Sequence, residues 1–439
     1  MKLFNSKPIW EKMVFIGLIV LTIFISFKWF NYNQKRNTEG DWKGNLWADA
    51  GGYYVYLPAF FMYNFNTEKL LEGIDNKVDS AGEILCIGGG GKIIDGKINT
   101  KYYIGVAIMQ APVFLTFYAY DAMDGNTGNG FTAPYTKVPI VSAAIYFILS
   151  FIFLFKLLRN YVSRNISLII ILTVVFATNA IYYFTAFPGY SHAHSFFLIS
   201  AFLYFSNKFS KEKKKKQIYL LAIITVFILI TRPVNVLVAL VFFTENKFAD
   251  LKSVIKWKDI VAFVLLGVLI CLPQFLYYNY LTGSFMTYSY GDEGFTNLSK
   301  PFLIEFWFSF CNGLFTYNPI WFLLIFIAIF LSIKRIRIGY FALLTFIVFS
   351  YLLASWHAWA FGCGYGSRNF VDFLPLFTVA MAIFYQKFLT KRIIPVVLIA
   401  VFIGATTLYN FTLMKNHEKC FFGDHCWDTE SFINKNLLK

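Results

Sequence analysis

The chain has 439 residues, 58% of them hydrophobic, 21% aromatic and only 14% charged, a composition outside that of a soluble globular domain. Its net charge of +15 would suit a nucleic-acid binder. Such a protein, however, carries its basic residues on a folded polar surface, and here they sit between long apolar runs. The expectation is an all-α polytopic membrane protein without a nucleic-acid partner, because apolar stretches of roughly 17–25 residues, enough to cross a bilayer as helix, recur along the chain.

In chain order, spans are expected near 13–30, 138–157, 166–186, 191–207, 217–231, 233–244, 259–278, 315–333, 339–355, 370–387 and 393–411, about eleven in all. The first follows Lys2, Lys7 and Lys12 and has no small-residue cleavage pattern behind it, so 1–30 reads as a retained transmembrane helix with a cytoplasmic N-terminus. A long external loop, 31–137, comes next. Within it "YYIGVAIMQAPVFLTFYAY", 102–120, has the length of a span but would invert every later segment if it crossed, so it is expected to lie at the membrane surface. The same holds for 53–65 and for "PFLIEFWFSF" at 301–310. A bundle at 138–411 is interrupted by a second external loop at 279–314 and followed by an external tail at 412–439. "TRPVN" splits the two short apolar runs of 217–244, predicting broken or tilted helices there.

The basic residues test this arrangement, since translocation disfavours Lys and Arg in short loops. Lys156, Arg159 and Arg164, the "KFSKEKKKK" run at 208–216, Lys247 to Lys258, "KRIR" at 334–337 and Lys387 to Arg392 all fall on the expected cytoplasmic side. With the N-terminal three they hold most of the 39 Lys and Arg but few of the 24 acids. The lysine run is read as a topology determinant at a solvated helix end. "GGGGK" at 88–92 lacks the spacing of a phosphate-binding loop and is read as flexible. Of the six cysteines, Cys271 falls in a span and the others outside, where Cys420 and Cys426 in "CFFGDHC" are close enough to pair. His417, Asp424 and His425 are too few, in too polar a tail, for zinc, and no metal ligand is assigned.

Ionisable residues near a membrane core are costly unless paired or functional. Asp49, Lys101, His192, Arg232 and Arg368 stand at expected external helix ends, with Asp292 and Glu293 in "YSYGDEGF" beside them. These residues sit in "ADAGGYYVYLP", "TKYYIGVAIMQAP", "FPGYSHAHSFF", "ITRPVN", "YYNYLTGSFMTYSYGDEGF" and "ASWHAWAFGCGYGSRNF", and "NGLFTYNPIWF" lies between the last two. In layout and in these short motifs, from about 45 to 375, the chain resembles the GT-C glycosyltransferases that take a sugar from a polyprenyl-phosphate donor, such as protein mannosyltransferases and the lipid A aminoarabinose transferase. Two departures stand out: Asp49 is followed by Ala50 where the family often has an acidic pair, and Tyr102 and Tyr103 replace the proline after the loop lysine.

The resemblance implies that Asp49 is the catalytic base. Lys101, Arg232 and Arg368 would hold the donor phosphate with His192 as a hydrogen-bond donor, and Asp292 and Glu293 would face the acceptor. A base must take the acceptor's proton as the anomeric carbon is attacked. Phosphate leaves as a stable anion and needs fixed positive charge rather than an acid, unlike the leaving group in glycoside hydrolysis. No cofactor is demanded, and the single acid leaves use of a divalent metal open. Each residue also has a structural reading: Asp49 as cap of a helix beginning near Gly52, Lys101 as a snorkelling anchor, Arg232 in a structural pair, Arg368 as an interfacial arginine, His192 as a packed histidine, Asp292 and Glu293 as loop charges.

The expected function is therefore transfer of a sugar from a polyprenyl-phosphate donor to an acceptor hydroxyl of a lipid, glycan or protein, on the external face of a bacterial inner membrane. A polymerase or ligase of lipid-linked glycans would use similar basic residues without a base in the first loop. A transporter or flippase would show internal repeats and ionisable residues near the midplane; no clear repeat is seen, and the charges gather at helix ends.

Overall fold

In a computed structural model the protein is described at residues 49–72, 77–78, 84–87, 91–125, 129–131, 134–362, 364–417 and 428–437, with Leu46 and scattered positions of 13–31. It is a mostly helical membrane protein. Among the described residues five helices are long and apolar enough to cross a bilayer, Tyr135–Leu158, Trp257–Thr282, Arg337–Ala354, Arg368–Leu389 and Ile393–Asn416, and Arg164–Phe176, Pro233–Thr244 and Ile320–Ile333 are shorter apolar helices. The Trp257–Thr282 and Ile393–Asn416 helices leave many large apolar side chains outward, including Leu265, Leu269, Val397 and Val401. In water such a surface would be a liability; against lipid it is the expected outer face.

The expected 13–30 span lies mostly outside the described residues; the other expected spans fall on helical segments, with two breaks. The 166–186 segment is Arg164–Phe176 followed by Ala180–Thr185, and 315–333 is Leu314–Tyr317 followed by Ile320–Ile333. Asn179 and Asn318 stand at the breaks and bond to each other: Asn179 N donates to Asn318 Oδ1 at 2.6 Å. The apolar 233–244 run is a 3-10 helix after Pro233, and 102–120 is the Gly105–Met123 helix.

A small sheet accompanies the helices. The first loop contains a four-stranded antiparallel sheet in the order β1 (Lys77–Val78), β2 (Ile84–Ile87), β3 (Gly91–Ile94), β4 (Lys97–Asn99). Asp95 and Gly96 both have positive φ and join β3 to β4 in the tight turn that matches strand twist. Gly91 and Lys92 of the glycine run begin β3; the preceding glycines lie outside the described residues.

This hairpin docks on the end of the Trp257–Thr282 helix. Tyr277 Oη donates to Ile98 O at 3.0 Å and accepts from Thr100 N at 2.8 Å, and Lys97 Nζ reaches Leu281 O. Thr100 Oγ1 donates to Gly52 O at 2.9 Å. The sheet thus fixes 100–102 beside the short Asp49–Tyr54 helix. A second core around Tyr54, Phe114, Tyr135 and Tyr277 holds this loop together apart from the main bundle core.

Cys311 is disulfide-bonded and Cys271 is free. Cys420 and Cys426 lie outside the described residues.

Candidate functional site

Asp49, Lys101, Arg232 and Arg368 come from four distant segments and meet at one cavity of about 340 Å³. Glu293 borders it too; Asp292 does not and is exposed. Part of the remaining wall is apolar and aromatic, with Val234, Phe349, Leu353, Trp356 and Phe373. All these residues lie at one end of the helices: after Lys215–Thr231, after Arg337–Ala354 and before Leu374–Phe384. The basic loops at 208–216, 334–337 and 387–392 lie at the other end.

Asp49 opens the Asp49–Tyr54 helix, three residues before the expected start. Its Oδ2 pairs with Arg368 Nη2 at 3.0 Å, and its Oδ1 accepts from Tyr102 Oη at 2.6 Å. Burial pushes the carboxyl's pKa up, but the Arg368 guanidinium, the Tyr102 hydroxyl and Lys101 outweigh it and hold Asp49 below the usual carboxylate range. The side chain is therefore ionised at neutral pH. On the two neighbouring phenols burial outweighs the nearby cations: it lifts Tyr53 to about 12 against Arg232 and Arg368, and with the Asp49 charge it lifts Tyr102 well above the ordinary value, so both keep their protons.

Arg368 is held from two sides. Its guanidinium stacks over the Tyr190 ring at 5.0 Å, and the turn before it is bolted to the bundle. Gly366 N donates to Asn312 Oδ1, Ser367 Oγ to Asn312 O, Asn179 Nδ2 to Tyr365 O, and Tyr365 Oη to Asn410 Oδ1. Gly366 has φ +64°, and a Cβ there would stand 2.8 Å from Asn318 Nδ2. Only glycine satisfies both the dihedral and the space.

Arg232 follows the last turn of Lys215–Thr231 and meets an acid absent from the sequence-based candidates, Asp372, whose side chain is 0% exposed. Asp372 accepts from His192 Nδ1 at 2.8 Å and Asn235 Nδ2 at 2.7 Å, with Arg232 Nε at 3.4 Å. Arg232 also donates to Asn369 Oδ1. His192 does not border the cavity; it stands behind Arg232 and supports Asp372. His194 faces elsewhere, on Ser142 Oγ at 3.1 Å. The signal that could have exposed Asp372 is in the sequence: an acid four residues after Arg368 entering an apolar run.

Lys101 pairs with Glu293. The loop that follows the Trp257–Thr282 helix is strapped across this side, since Ser289 Oγ donates to Lys101 O, His357 N to Gly294 O and Asn297 N to Ser355 O. Its Tyr290 and Phe295 pack edge-on against Trp356. Asn369 Nδ2 and Thr231 Oγ1, both on residues of the cavity wall, are buried without a hydrogen-bond partner. A polar ligand is what such groups lack. Among the described residues no group of three or more His, Cys, Asp or Glu is arranged to hold a metal.

The arrangement offers the ionised Asp49 carboxylate, three cations, of which Lys101 is paired with Glu293, and two unsatisfied polar groups beside an apolar wall. Comparison with known proteins adds nothing to this geometry: no family model and no curated protein matches the chain.

Proposed function

We propose that the protein is a membrane glycosyltransferase of the GT-C type, which moves a sugar from a polyprenyl-phosphate donor to an acceptor hydroxyl. The observation that carries the reading is the convergence of Asp49, Lys101, Arg232 and Arg368 on a cavity that is polar on one side and greasy on the other. A phosphate-linked sugar on an isoprenoid carrier has both characters.

In this reading the acceptor oxygen bonds to the anomeric carbon, the bond from that carbon to the phosphate oxygen breaks, and Asp49 takes the hydroxyl proton. The monoanionic diester becomes a dianionic phosphate while Asp49 becomes neutral, so charge balances. Lys101, Arg232 and Arg368 offset the charge that gathers on the phosphate, and Asn369 and Thr231 supply neutral contacts. Glu293 and the aromatic residues of the second loop face the acceptor side.

The reading extends to about eleven spans in a bacterial inner membrane with the site outside. Two features support it: the basic loops gather at the end of the bundle away from the cavity, and Cys311, of the second external loop, is disulfide-bonded, which suits an oxidising compartment.

Mass spectrometry of co-purifying lipids, with a transfer assay, tests it. Asp49→Asn should retain a polyprenyl-phosphate sugar while wild type carries bare polyprenyl phosphate, and transfer should fall by at least about a hundredfold, the scale of a lost general base. Wild-type transfer by Asp49→Asn would refute the role of Asp49. A folded protein that carries no polyprenyl lipid in either form would refute the donor.

A further inference from the structure

A second cavity, of about 180 Å³, opens at the basic end of the bundle, away from the site described above. Its walls are apolar where they face the bundle interior, through Leu157, Leu203, Val379 and Ile383, and it is bordered by two side chains of opposite charge, Glu245 and Arg337. Glu245 follows the Pro233–Thr244 helix and Arg337 begins the Arg337–Ala354 helix. The two form no ion pair with each other, and among the described residues neither pairs with any other charged group.

Glu245 is instead held in place by neutral donors. Tyr161 Oη donates to its Oε1, while Asn207 Nδ2 donates to Oε2 at 2.6 Å and Ser210 Oγ to Oε2 at 3.3 Å. Asn207 is itself fixed through Asn160, whose Nδ2 donates to Asn207 Oδ1 at 2.9 Å. Three hydroxyl and amide donors thus orient this carboxylate. It sits where a cation would be attracted, beside a guanidinium that fits phosphate.

We propose that this cavity binds the phosphoethanolamine headgroup of a membrane phospholipid. The ammonium would sit on Glu245, the phosphate on Arg337, and the first carbons of the acyl chains against Leu157, Leu203 and Ile383. Two observations narrow the ligand to this class. Separated charges of both signs call for a zwitterion rather than a simple anion or cation. The position, among the Lys and Arg that mark the ends of the helices, is headgroup depth, and the apolar wall gives the chains a place that a soluble zwitterion would not use. The ammonium of phosphoethanolamine has three N–H donors for a carboxylate, whereas a trimethylated ammonium has none.

Native mass spectrometry of the full-length protein, stripped of lipid and offered equal amounts of phosphatidylethanolamine, phosphatidylcholine and phosphatidylglycerol, tests this. Wild type should retain phosphatidylethanolamine over phosphatidylcholine by about tenfold or more, the scale of a charge-assisted hydrogen bond. Glu245→Gln should abolish that preference, and Arg337→Gln should weaken retention of both phosphatidylethanolamine and phosphatidylglycerol. Equal retention of the ethanolamine and choline lipids by wild type would overturn the proposal, and this comparison needs no variant to fold. Displacement of the lipid by an equal concentration of glycerophosphoethanolamine would overturn the assignment to a lipid.

Discussion

Asp372 is the buried acid against which Arg232 is held, and Asp372→Asn measures how far the site depends on it. Its side chain is 0% exposed and is contacted by His192, Asn235 and Arg232. Asparagine keeps the shape but removes the charge, leaving the Arg232 guanidinium, 22% exposed, without its ionic partner. Breaking a buried pair from one side costs about 3–5 kcal/mol. The partial exposure of Arg232 places the expected loss near the lower end, about 3 kcal/mol. Arg232→Gln should destabilise as well, because it strands the carboxylate. The double variant removes both charges, so its cost should fall short of the sum of the singles by at least about 1.5 kcal/mol, within the range for directly coupled residues. Unfolding in mixed micelles, titrated with a denaturing detergent and followed by tryptophan fluorescence, gives all three values. An Asp372→Asn protein within about 1 kcal/mol of wild type, or strictly additive variants, would refute the claim that these two charges hold each other.

Two further substitutions probe the other half of the site. Gly366→Ala places a Cβ 2.8 Å from Asn318 Nδ2 at φ +64°; a loss of at least about 1–2 kcal/mol is expected from the dihedral alone, together with weaker binding of the proposed donor as Arg368 shifts. Unchanged stability in the same detergent titration would show that the turn is not constrained as described. Tyr102→Phe removes the 2.6 Å hydrogen bond to Asp49, and about 1.5 kcal/mol of stability should go with it at pH 7. Because the folded-state pKa of Asp49 lies below its ordinary 3.8, its contribution is complete above that value and is lost as pH falls through the folded value. Without the tyrosine the acid limb of the stability–pH curve should move upward, and an unmoved limb would count against the bond.

The helical segments were legible because apolar run length is a one-dimensional property, set by the thickness of a bilayer. The breaks at Asn179 and Asn318 were not. Asn179 binds the Tyr365 carbonyl, which lies far along the chain, and Asn318 binds Asn179 in turn. The small sheet left one local sign, Asp95-Gly96 between two short apolar runs, outweighed by the helical pattern around it. For the second loop, nothing in "GDEG" announces that Glu293 reaches Lys101 while Asp292 faces away; that choice is made by the strap to 354–357.

Charges at helix ends are legible in a sequence as single residues, not as pairs. The structure gives each cation its own acid: Arg368 has Asp49, Arg232 has Asp372 and Lys101 has Glu293. The pairing removes the cost of three bare cations beside a membrane. It also changes how an anion can be held, because a phosphate must share or displace the carboxylates already present. At Arg368 that exchange has a chemical consequence under the proposed reading. The guanidinium that would stabilise the departing phosphate is the same group that keeps Asp49 a weak base. As charge builds on the phosphate, the hold on Asp49 slackens and the carboxylate becomes more basic at the moment the acceptor proton must be taken. An empty cavity, by contrast, keeps Asp49 tied down and so disfavours proton transfer to it when no donor is bound.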